Sequence, residues 1–211
     1  MDCLTAAPEK GADMDLNEYK KKLRKEKIRA REALSEEDRT RYSAQICGRI
    51  IRTPEYAEAE IIFVYKWIRG EVRLDELEKQ AAADGKRLLY PLCVSRTEML
   101  AVEPGAGDDA WADSGFMGIR EPVSEKGRII GPSEIDLVIA PCAAFDEKCR
   151  RLGMGGGFYD RYLPECTGAK IIAAAYEVQC AEEIPTEEFD FTPGAVVTEE
   201  RLIRPGKILR L

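Results

Sequence analysis

The segment RRLGMGGGFYDRYLP, residues 150–164, concentrates side chains and backbone suited to holding an anion. Four of the five positions from Gly153 to Gly157 are glycine, with Met154 between them. Glycine permits positive φ and lets a ligand touch the backbone. Amides at a helix start attract anions, phosphates above all, and Arg150 and Arg151 add positive charge. Asp160 is a candidate metal ligand, or equally a first-turn aspartate that suits the helix dipole. Tyr159 can donate a hydrogen bond to a substrate, or pack on Phe158. Arg161 can meet a phosphate or stay solvated. No Gly-Lys-Ser/Thr follows, so this is not a Walker A loop. It is not the dinucleotide fingerprint either, because Phe158 stands where the third glycine is needed. A glycine cluster taken alone is also compatible with a turn that only relieves strain.

A second set of cations lies near the N-terminus: Lys20, Lys21, Lys22, Arg24, Lys25, Lys27, Arg29 and Arg31. Lys20 and Arg24 are spaced i, i+4 and share a helix face, with Arg31 two turns beyond. The row can clamp a polyphosphate, form a solvated face, or contact RNA. The net charge of −7 weighs against general nucleic-acid or membrane-surface binding. The chain has no histidine, which excludes Ser-His-Asp and Cys-His catalysis and histidine metal sites. The seven cysteines form no C-x-x-C pair and read as reduced thiols. Chemistry must therefore rest on carboxylates, Arg, Lys, Tyr, backbone amides or a borrowed metal ion.

These groups need elements to hold them. A helix is expected from Leu16, with Leu16, Tyr19, Leu23, Ala30 and Ala33 on its apolar face. Ser35 caps a second helix, with Asp38 at the capping-box position, a stripe of Tyr42, Ile46 and Ile50, and Pro54 just past its end. EIIFVY (60–65) reads as a buried strand, LDELEKQAAADGK (74–86) as a helix stopped at Gly85, and RLLYPL (87–92) as a strand ended by Pro91. Residues 97–102 suggest a further strand and 104–132 a loop. DLVIAP (136–141) is a buried strand followed by the glycine loop and a short helix from about Phe158. AKIIAAAY (169–176) is another strand and GAVVTEE (194–200) the last. Alternating helices and apolar strands predict an α/β fold with a mainly parallel sheet. The 211 residues, 45% of them hydrophobic, suit one sizeable domain over 15–211, after a disordered extension over 1–14. With no membrane-length apolar run and no signal peptide, a cytoplasmic location is expected.

Several stretches taken together carry a resemblance: KKKLRKEKIRAREALSEEDR, GEV at 70–72, GK before the second strand, GIREP at 118–122, DLVIAPCAAFDEKCRRLGMGGGFYDRYL at 136–163, IPTEEFD and VVTEE. From about Tyr19 to Glu200 the chain resembles the 5-formyltetrahydrofolate cyclo-ligase (methenyltetrahydrofolate synthetase) family. The segment from Asp136 to Leu163 carries most of the specificity. The resemblance implies a three-layer α/β/α sandwich. It also implies closure of 5-formyltetrahydrofolate to 5,10-methenyltetrahydrofolate, with ATP cleaved to ADP and phosphate and Mg²⁺ required. In the family's route ATP phosphorylates the formyl oxygen, N10 attacks, and phosphate departs.

Carried over by position, the resemblance puts ATP at Lys20, Arg24, Arg151, Leu152, Gly153, Met154, Gly155, Gly156, Gly157, Phe158 and Tyr159. The folate falls at Glu71 and along Met154 to Phe158, and Mg²⁺ at Asp160 and Asp190. Arg151 and Tyr159 take the catalytic roles. The chain departs from the family pattern at Phe158, where a tyrosine is usual, and at Phe189, where a histidine is common. It departs again near Cys149 and Arg150, where a glycine usually precedes the Arg-Leu-Gly segment. The implied partner is the folate, with or without a polyglutamate tail, with no nucleic acid or membrane, in a monomer or weak dimer. A diverged folate- or ATP-binding relative without catalysis, a sugar-phosphate isomerase or CoA-transferase-like enzyme on a related scaffold, and a non-catalytic RNA- or acidic-partner module stay open as alternatives.

Overall fold

The computed structural model describes residues 15–113 and 118–210; the extension expected over 1–14 lies outside them. The elements are α1 (Leu16–Glu32), α2 (Glu36–Ile51), α3 (Pro54–Glu58), β1 (Ile61–Phe63), α4 (Asp75–Ala83), β2 (Arg87–Cys93), β3 (Met99–Glu103), β4 (Trp111–Ala112), β5 (Glu121–Pro122), β6 (Arg128–Ile130), β7 (Leu137–Pro141), β8 (Ala144–Phe145), β9 (Arg151–Leu152), α5 (Phe158–Tyr162), β10 (Lys170–Ala174), β11 (Ala195–Val197), β12 (Arg201–Arg204) and β13 (Lys207–Arg210). Nine strands form one sheet in the order β13-β12-β11-β10-β7-β1-β2-β3-β6. The central run β11-β10-β7-β1-β2 is parallel, and the outer strands on both edges are antiparallel.

The sheet's two faces follow the period of two along each strand. Ile62, Leu137, Ile139, Ile172 and Val197 pack beneath α2, α3 and α4, through Ile46, Ile50, Tyr56 and Leu77. Phe63, Val138, Ala140 and Ile171 point the other way, onto Tyr162 and Leu163 at the end of α5. This is the three-layer α/β/α arrangement. Ser35 caps α2 by accepting from Asp38 N at 3.0 Å, and Gly85, at φ 72°, ends the α4 segment. From β1 the chain moves out to β2, then returns to place β7 on the other side of β1 and moves on to β10. The C-terminal ends of β1 and β7 therefore flank a topological switch point, where open α/β sheets bind ligands.

The structure corrects five expectations. Leu16, Tyr19 and Ala33 of α1 are exposed, and the inward face is instead Lys20, Leu23, Ile28 and Arg31. Pro91 does not end β2, which runs on to Cys93. Pro91 pairs with Ala101 of β3 beyond Leu89, the last residue registered with β1, so one side of the strand makes no demand for an N–H there. Within 104–132, β6 joins the sheet edge and β4 pairs with β5. A hairpin, β8–β9, intervenes between β7 and the glycine loop. Finally, β11 is not last, because the chain turns over 198–200 into β12 and again at Pro205 and Gly206 into β13. No described helix is long and apolar enough to cross a membrane.

Candidate active site

A cavity of about 300 Å³ opens at the switch point. The segment after β1 contributes Tyr65, Ile68 and Glu71. The β9–α5 region contributes Arg151, Gly153, Met154, Gly156, Gly157, Phe158, Tyr159 and Asp160, and Glu121 of β5 also faces it. A neighbouring cavity of about 830 Å³ is lined by Glu188, Phe189, Asp190 and Phe191. Gly157 and Asp160 line both cavities and so mark their junction.

Glu71 is placed by a tight turn. Arg69 (φ 47°) and Gly70 (φ 71°) are successive left-handed residues, and Glu71 N donates to Ile68 O at 2.9 Å, the signature of a primed turn. Glycine bears this conformation without penalty; Arg69 bears it at a cost. Glu71 Oε2 accepts from Ile68 N at 3.1 Å, and Oε1 lies 3.5 Å from Arg31 Nη2. Burial pushes the Glu71 carboxyl above its ordinary pKa, and the Arg31 guanidinium opposes that rise. Arg31 is fully buried and also donates to Arg69 O and Cys142 O, both at 3.0 Å. One guanidinium thus ties α1 to the Glu71 turn and to the end of β7.

The glycine loop is clamped from both sides. Arg24 Nε donates to Gly153 O at 2.7 Å, and Arg161 Nη2 to Gly156 O at 2.8 Å. Gly157, at φ 67°, is the N-cap of α5. Gly155, at φ 104°, lies against the Arg24 guanidinium on the loop's outer side. Because α5 has only five residues, its dipole is small, and the positive field comes mainly from the arginines and Lys20. The hairpin before the loop is organised by Asp146. Its carboxylate accepts from Lys148 N and Arg150 N at 3.0 Å and pairs with the Arg150 side chain. Cys149 sits there at φ 63°. Cys149 thus takes a left-handed turn position in the region where the resemblance expects a glycine, with its Sγ buried against Ile203 O at 3.5 Å.

Arg151 Nη2 donates to Asp160 Oδ1 at 2.7 Å, while its buried Nε has no partner among the described residues. The Tyr159 ring stacks on Phe63. Its hydroxyl is shut away from solvent without a hydrogen-bond partner among the described residues, and burial holds its pKa far above the usual phenol range. Orphaned buried donors of this kind call for an explanation, and a ligand in the cavity supplies one. Lys20 Nζ lies 2.5 Å from Asp190 Oδ2 and 2.8 Å from Glu187 Oε2. Burial works against the Lys20 charge, but hydrogen bonds to Asp190 and Glu187 raise its pKa overall. Arg24 is lowered by burial, which the Asp190 charge partly offsets.

The sequence-named residues thus fall into two groups. Glu71, Arg151, Gly153, Met154, Gly156, Gly157, Phe158, Tyr159 and Asp160 share the first cavity. Lys20, Arg24, Gly155 and Asp190 lie beside it. Leu152 does not reach the cavity with its side chain, which packs on Leu23, Ala144 and Ile184. The two expected Mg²⁺ ligands are each engaged by a cation, Asp160 by Arg151 and Asp190 by Lys20. No cluster of three metal-binding side chains exists among the described residues. Two carboxylates near one junction still suit Mg²⁺, which takes one or two protein carboxylates together with substrate phosphates. Sequence reasoning offered Arg31 as part of a polyphosphate clamp, whereas it is fully buried against Glu71 and two carbonyls, and it gave Glu187 and Glu121 no role in the site. Only Arg31 has a local signal, its position two turns beyond Arg24.

Comparison with known proteins follows the same outline. The profile of the 5-formyltetrahydrofolate cyclo-ligase family matches residues 16–199. A 5-formyltetrahydrofolate cyclo-ligase of Escherichia coli K12 is 31% identical over 178 residues, covering 82% of this chain and 96% of the relative. The mouse protein of the same name is 26% identical, covering 90% and 98%. The solved structure of Aquifex aeolicus 5,10-methenyltetrahydrofolate synthetase superposes with a TM-score of 0.77 at 31% identity, covering 91% of this chain and 95% of that one. The chain belongs to the 5-formyltetrahydrofolate cyclo-ligase family.

Proposed function

We propose that the protein closes 5-formyltetrahydrofolate to 5,10-methenyltetrahydrofolate, consuming ATP and releasing ADP and phosphate. The observation that carries this reading is the meeting of Arg151, Tyr159, Glu71 and the glycine loop on one cavity at the switch point, in a chain of this family. A formamide oxygen is a poor leaving group, so it must first accept a phosphoryl group. Phosphoryl transfer needs positioning and charge stabilisation more than covalent help from the protein. The residues present suit that task. Arg151, with a spare buried donor, meets the transferring group; Lys20 and Arg24 hold the outer phosphates; and the loop amides approach from Gly153 to Gly157.

Apolar walls from Pro91, Met99, Pro141 and Met154 receive the flat pteridine, Tyr159 donates its hydroxyl to the substrate, and Glu71 accepts from it. Asp160 and Asp190 would hold a magnesium ion, which when bound neutralises polyphosphate charge. The lack of histidine costs this chemistry nothing, since no step requires a group titrating near neutrality. We place the enzyme in the cytoplasm, where its six described cysteines, all free, stay reduced.

A spectrophotometric assay with 5-formyltetrahydrofolate, ATP and Mg²⁺ tests the reading. An ATP-dependent rise of the methenyl absorption band is expected. Folded protein that binds ATP and gives no rise would make the chain a non-catalytic relative.

A further inference from the structure

Glu121 is a buried carboxylate that the site as described above does not use. It lies on β5, is 6% exposed, and faces the 300 Å³ cavity from the side of β2 and β3. Its Oε1 accepts from Cys93 N at 3.2 Å, the Cys93 thiol also hydrogen-bonds to the carboxylate, and no cation pairs with it among the described residues. Pro91, Cys93, Met99 and Ile119 line the same cavity, Cys93 in direct contact with Glu121. A carboxylate held at an apolar end of a cavity is costly unless donors reach it. Glu71 differs, because both of its oxygens are engaged and Arg31 supplies a neutralising charge.

We infer that Glu121 is the substrate-positioning residue that receives the 2-amino and N3–H edge of the pteridine. This rests on the folate reading above. The pyrimidine end of the pteridine carries two N–H donors side by side, which match the two oxygens of a carboxylate as a bidentate guanidinium does. The formyl-bearing N5 lies on the other ring. Anchoring the pyrimidine end at Glu121 turns that ring toward the part of the cavity lined by Arg151, Tyr159 and the glycine loop. Glu71 then needs to accept only a single donor. Glu121 acts by orientation: it holds the ring so that the formyl oxygen meets the phosphoryl donor.

The test uses the full-length protein and its Glu121→Gln and Glu121→Ala variants, with 5-formyltetrahydrofolate and its 2-desamino analogue. Glu121→Gln keeps an oxygen for Cys93 N, so it guards against misfolding. The expected result is a folate KM raised roughly 10- to 100-fold in both variants, with the ATP KM and the melting temperature little changed. Loss of the 2-amino group should weaken the substrate by a similar factor for the wild type and by little for Glu121→Ala. Equal discrimination against the desamino analogue by wild type and Glu121→Ala would overturn the assignment. If the wild type proves inactive, the same comparison by calorimetric binding still decides it. Discrimination lost only in the variants would support Glu121; discrimination unchanged, or no folate binding at all, would overturn it.

Discussion

Arg151 binds Asp160 at 2.7 Å through one terminal nitrogen and keeps a second buried donor, Nε, without a partner among the described residues. The guanidinium is thus held in place by a carboxylate and still able to donate. Replacing it with alanine should lower cyclo-ligase kcat by about 10²- to 10³-fold while circular dichroism stays native. Arg151→Lys should fail to restore the rate, since an ammonium cannot hold Asp160 and donate in the same planar geometry. Wild-type kinetics in Arg151→Ala would remove this residue from the phosphate site.

Asp160 makes its contacts to Arg151 and to Phe191 N, the latter at 3.3 Å, through one oxygen, Oδ1. Asp160→Asn keeps an acceptor and removes the charge. The Mg²⁺ concentration for half-maximal rate should rise about tenfold or more. An unchanged magnesium titration would count against Asp160 as a ligand.

Gly157 sits at φ 67°, and a Cβ there would come within 2.5 Å of Arg161 Nη1. The Arg161 side chain can swing away, but the backbone cannot. Gly157→Ala should cost about 1–2 kcal/mol, seen as a lower Tm, and should reduce turnover through a displaced loop. Gly153 is not in the left-handed region, so Gly153→Ala should lower Tm less. Equal Tm losses for the two would argue against backbone conformation as the cause.

Glu71 carries a raised pKa, chiefly from burial. A carboxyl raised on folding stabilises most while protonated, below its unfolded pKa, and that contribution fades as pH climbs through the folded value. Glu71→Gln has no proton to lose. Between about pH 4.3, the ordinary glutamate value, and neutrality, the variant should gain stability relative to the wild type. Denaturant titrations across that range would read the difference, and a flat or falling difference would contradict it.

The central strands are legible because a buried parallel strand is a continuous apolar run, as in IIF, LVIAP and KIIAA. The edge strands are not. RII at 128–130 and RLIR at 201–204 become strands through the neighbours they pair with, and no local pattern reports those neighbours. The glycine loop is legible as a motif, down to the left-handed turn at its end. The orientation of α1 is not. Counting apolar residues selects Tyr19 and Ala33, whereas Lys20, Arg24 and Arg31 turn inward because acceptors distant in sequence wait for them. Glu121 escapes notice for the same reason, since its burial depends on β2 and β3 rather than on its own neighbours.

The separation of Lys20 from its partner Asp190, 170 residues along the chain, bears on how the protein comes into being. The first helix leaves the ribosome long before the carboxylates that receive Lys20. Until the segment after β10 emerges, Lys20 lacks both of the carboxylates that pair with it, although the partners of Arg24 and Arg31 are already made. The Lys20 ion pairs are therefore a late product of synthesis, and a chain cut short before Glu187 would carry the glycine loop and its Arg24 clamp yet lack the second lock on the first helix.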